Sequence, residues 1–65
     1  MVVVLEMKDK VVYELPLSDI VYMSIKKAVD EPGCGFPDNT RIMKLQLKNG
    51  VTKYIKAERL LIRYQ

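Results

Sequence analysis

Few side chains in this 65-residue chain could carry covalent chemistry. It has no histidine, and Cys34 is its only cysteine. Nucleophilic catalysis would need Cys34 or a serine beside a base, and the usual base is missing. General acid–base work lacks paired groups. The usual metal sites draw on Cys and His, so one thiol serves them poorly. Asp30, Glu31 and Asp38 share one segment, but their spacing matches no calcium loop. Gly33 and Gly35 lack the third glycine, the lysine and the hydroxyl of a phosphate loop. The expectation is a non-enzymatic protein without cofactor or metal.

Nucleic-acid binding asks for less. Lysines neutralise phosphates, and an aromatic on a sheet can stack a base. The net charge is +3, but it is unevenly placed. Residues 1–40 carry four lysines against seven Asp or Glu, a net −3. Residues 41–65 carry seven Lys or Arg against Glu58, a net +6. Lys44, Lys48, Tyr54 and Lys56 are therefore the candidate nucleic-acid-binding residues. The competing reading is a solvated lysine face that keeps a small β-protein soluble.

The elements that would position these residues are strands. Residues 2–7 are rich in β-branched side chains, and residues 11–15 alternate with period two, so the pair reads as a hairpin. Pro16 ends or bends the second strand. Residues 20–29 read as a third strand, because Ile20, Val21, Tyr22 and Ile25 would crowd a helical turn. Residues 30–39 hold two prolines and two glycines and read as a long loop, with Phe36 folding back to cap the core.

Asn49-Gly50 between two alternating runs marks a hairpin. A two-residue turn would mix apolar and charged residues on both faces. With Gly50 as a left-handed bulge residue, Leu47 pairs with Val51. Met43, Leu45, Leu47, Val51, Ile55 and Ala57 then share one face, with Lys53 the intruder. The opposite face holds Ile42, Lys44, Gln46, Lys48, Thr52, Tyr54 and Lys56. Residues 58–65 fit a strand and a helical turn equally well. The fold expected is a mainly β single domain over 1–65, a small antiparallel sheet or barrel of five to six strands, with a short C-terminal helical turn as the variant.

The run Leu15-Pro-Leu-Ser-Asp-Ile-Val-Tyr-Met23 resembles the segment that opens LytTR-type DNA-binding domains. There an apolar-x-apolar-x-Asp-Ile-x-Tyr-apolar pattern forms a strand junction. Lys44 to Gly50 is similar to that family's following strand and turn, and Leu60-Leu61 to the start of its short helix. The resemblance implies a mainly β fold and promoter DNA as a partner.

A chain this short buries only about 60% of its unfolded surface, so it is expected to depend on a well-packed core, on oligomerisation, or on both. Val2, Val3, Val4, Leu5 and Met7 put apolar side chains on both faces of the first strand. If that strand is an edge, two copies could pair through Val2, Val3 and Val4 as a homodimer. The alternative covering is the chain's own Leu60-Leu61-Ile62. A protein-interaction module or subunit of a larger assembly, without a nucleic-acid role, is the second functional reading. No apolar run approaches the roughly 18 residues of a membrane span. The lone cysteine and the absence of an export signal suggest a reducing cytoplasm.

Overall fold

Alternating apolar and polar residues favour extended backbone when one side of the chain can be buried. In the computed structural model, which describes residues 1–8 and 10–65, six segments are strands, and not all of them alternate. They are β1 (Val2–Met7), β2 (Lys10–Pro16), β3 (Ile20–Lys27), β4 (Arg41–Leu47), β5 (Thr52–Lys56) and β6 (Leu60–Tyr64). One antiparallel sheet has the order β2-β1-β6, and the other the order β3-β4-β5. Asp9, between the two segments expected to form the first hairpin, lies outside the described residues.

Pro16 closes β2, and a 3-10 turn over Leu17–Asp19 redirects the chain into the second sheet. Two backbone bonds secure this corner: Leu17 donates to Met1 and Lys48 donates to Asp19. The β4–β5 hairpin takes the bulged register. The Leu47 amide donates to the Val51 carbonyl, and Gly50 sits at φ +88°. That left-handed backbone is open to glycine without the steric cost of a side chain. Leu45 then faces Lys53 and Met43 faces Ile55.

The two inner faces meet in one core. Val3, Leu5, Met43, Leu45 and Ile55 are buried, with Met7, Tyr13, Leu15, Ile20, Met23, Leu47 and Leu60 packed around them. Lys53, the charge on this face, extends over the Tyr13 ring, 5.6 Å from its centroid. A cation held there is attracted by the ring quadrupole, and its stem can cover apolar surface.

Of the two conformations open to the tail, residues 60–64 take the strand, because the open side of β1 supplies a ladder for them. Two other expectations are corrected. For the same reason β1 is the middle strand of its sheet, not an edge. Val3 and Val4 are 1% and 0% exposed, so of Val2, Val3 and Val4 only Val2 has free surface, and β1 has no open edge for a second chain to pair with. Val4 lies on the outward face between Glu14 and Arg63, and Arg63 pairs with Glu6 beside it. Phe36 is half-buried within its loop and stands outside the core cluster. Among the described residues, no helix is long and apolar enough to cross a membrane.

Candidate polyanion-binding surfaces

Alternation along β3, β4 and β5 sets a second face outward. Across it stand three rows: Tyr22, Gln46 and Thr52; Ser24, Lys44 and Tyr54; Lys26, Ile42 and Lys56. Sequence reasoning placed Lys44, Tyr54 and Lys56 on one face, and the register does bring them together. Lys48 lies apart. It sits at the β4–β5 turn, where it shares a shallow depression with Leu15, Asp19 and Asn49.

The loop over residues 28–40 changes what this face presents. Its base is tied by the Ala28 amide to the Thr40 carbonyl at 2.8 Å and the Val29 amide to the Asp38 carbonyl at 3.2 Å. Ile42, between Lys26 and Lys56 in the outward rows, is nevertheless fully buried. The Cys34 thiol is turned inside the loop, 3.8 Å from the Ala28 carbonyl oxygen. Glu31 reaches from the loop to the middle of the sheet. Its carboxylate accepts from Lys44, from the Tyr54 hydroxyl at 3.0 Å and from Lys26 at 3.3 Å.

The electrostatics follow from these contacts. The Lys44 ammonium, with the Tyr54 and Lys26 donors, pulls the Glu31 carboxyl down to about 2, against partial burial that pushes the other way. Glu31 and the neighbouring Tyr22 raise Lys44 above the ordinary lysine range. Burial first, then the bond to Glu31, raises the Tyr54 phenol. Two of the four residues predicted from sequence, Lys44 and Tyr54, therefore already serve a carboxylate of their own chain.

A second group of cations gathers where three connections meet. Arg41 starts β4 opposite Lys27, which ends β3. The Ala57 amide donates to the Arg41 carbonyl at 2.8 Å and draws the β5–β6 turn alongside. Arg41, Lys56, Glu58 and Arg59 line a shallow concavity of about 500 Å³, with Asn39 and Thr40 on its wall. Arg59 also borders the next depression, which Lys8 shares. Lys27, Arg41, Lys56, Arg59 and Lys8 thus form a continuous basic band. Among the described residues, Glu58 pairs with Lys56 of the band itself at 3.2 Å, and Glu6 pairs with Arg63.

Lys8 and Arg59 have φ of +52° and +56°, left-handed backbone that Gly or Asn would hold at less cost. Both side chains are long cations on the band. Sequence reasoning included Lys56 but missed Lys8, Lys27, Arg41 and Arg59. The signal for two of them was a tight turn without glycine at a charged residue.

No known protein family, curated protein or solved structure matches this chain.

Proposed function

We propose that this protein is a small non-enzymatic nucleic-acid-binding protein with a regulatory role. Its phosphate contacts come from the band of Lys8, Lys27, Arg41, Lys56 and Arg59. The observation that carries the reading is the convergence of these cations from three separate connections onto one surface. Such a band neutralises successive phosphates and gains affinity from released counterions. Arginine forks suit the phosphate group, and two of the five are arginines. The resemblance of residues 15–23 to LytTR-type domains favours DNA over RNA, and the lone thiol suits a reducing cytoplasm.

Fluorescence anisotropy with a labelled single-stranded or duplex oligonucleotide tests this. Affinity should fall linearly in log–log form with salt, with a slope of roughly −3 to −5 for four to five phosphate contacts. A chain that does not bind either oligonucleotide at low salt is not this kind of protein.

One observation favours the second reading, a protein-interaction module. β6 lies at the edge of its sheet, with Leu61 58% and Tyr64 56% exposed. An apolar edge strand can extend a sheet in another chain, and the simplest partner is a second copy. Sedimentation equilibrium tests it, and a monomer at all concentrations would refute self-pairing.

A further inference from the structure

The outward face of β3, β4 and β5 is a built anion site that already contains an anion. Its donors come from three strands: Lys26 on β3, Lys44 on β4 and Tyr54 on β5. Tyr22 stands beside Lys44 and is 38% exposed. Ser24, directly across from Lys44, has a buried hydroxyl oxygen without a hydrogen-bond partner. Alternate residues on a strand stand about 7 Å apart, so the face offers a short track of donors flanked by two phenol rings. Each of these side chains starts from a fixed position on its own strand, and the Lys26 and Lys44 ammoniums meet at Glu31.

Glu31, by contrast, comes from outside the sheet. It is carried on the loop over 28–40, which continues through Gly33 and Gly35 at φ +85° and +87°. There is open space around both glycines. The Glu31 amide donates to the Ala28 carbonyl at 3.0 Å and its carbonyl accepts from the Cys34 amide at 3.2 Å, so rotation of the Glu31 side chain alone releases the site and unpairs no strand.

We infer that Glu31 is an internal latch, holding in the chain's own carboxylate a site that receives a backbone phosphate of single-stranded nucleic acid. Displacing it frees Lys44 and Lys26 for phosphate and exposes Tyr54 and Tyr22 for base stacking. The inference rests on the proposed nucleic-acid function and deepens it. The basic band makes the first, open contact. The latched site adds its contacts once an anion competes with Glu31. Until then, apparent affinity is lowered by the fraction of molecules in which the site is closed.

The test compares Glu31→Gln with Asp30→Asn by anisotropy on a labelled oligothymidylate. Both variants change net charge equally, but only Glu31 holds the site. Glu31→Gln should bind at least about fivefold tighter than Asp30→Asn. Adding Lys44→Gln to Glu31→Gln should remove the gain. If the wild type binds and Glu31→Gln is no tighter than Asp30→Asn, the latch is wrong and the nucleic-acid function stands. If neither wild type nor Glu31→Gln binds, both fall. The wild type also answers directly by NMR. The Glu31 carboxyl carbon and the Tyr54 ring signals should shift as the oligothymidylate saturates the protein. Binding that leaves both unmoved overturns the latch without depending on any variant's fold.

Discussion

Two groups of cations in this molecule have the same sign of charge and opposite situations. Lys26 and Lys44 converge on Glu31, whose side chain is 14% exposed, and they serve the fold. Lys8, Arg41 and Arg59 border open concavities and are exposed to solvent. The contrast shows that a count of positive charges says little about what they do. A lysine engaged by a partly buried carboxylate is removed from the field that a distant polyanion feels. One at an open turn keeps its full effect.

The largest expected effect breaks the comparison on the open side. Arg41→Glu combined with Arg59→Glu should weaken oligonucleotide binding by about tenfold or more at low salt. It should also flatten the salt slope by about 2. Thermal stability should change little, since both side chains are exposed. Circular dichroism on heating, alongside the anisotropy, checks both halves. An unchanged affinity would remove the band from the function.

A smaller effect separates stability from binding at one residue. Arg59 holds left-handed backbone, so Arg59→Gly should stabilise the fold by about 0.5–1 kcal/mol. The same change should weaken binding, because it removes one cation from the band. Urea denaturation and anisotropy on the same variant read the two signs. A loss of stability would mean that the Arg59 side chain contributes packing there.

The smallest effect sharpens the closed side. The Glu31 pKa is lowered from its ordinary value near 4.5 to about 2 in the folded chain. The folded state therefore binds fewer protons at this group than the unfolded state does. Its contribution is complete above about pH 4.5 and fades as pH falls toward about 2. Melting temperature should decline over that window in the wild type. In Glu31→Gln the decline should be shallower. Parallel profiles would show that the Glu31 contacts do not persist in solution.

Much of the fold was legible in local sequence. Gly50 and the alternation of Met43, Leu45 and Leu47 were enough to choose the bulged register, because only that register buries a consistent face. The long loop was legible from its prolines and glycines. The tail was not, since Leu60, Leu61 and Ile62 suit either conformation alone. Their strand exists because β1 offers them a ladder. The same ladder explains why the apolar run of Val2, Val3 and Val4 marks the centre of a sheet rather than a docking edge.

The candidate site divides along the same line. That Lys44, Tyr54 and Lys56 share a face follows from period-two geometry and one turn, both short-range properties of the chain. That Glu31 sits on Lys44 and Tyr54 depends on where a loop lands 13 and 23 positions away in sequence. That Lys8 comes beside Arg59 depends on β6 returning to β1. Backbone conformation and alternation act between near neighbours, so the sequence alone determined the first five strands and the two faces of the β4–β5 hairpin. Charge acts through space, so only the tertiary structure decided which cations are spent on the fold and which are left for a partner.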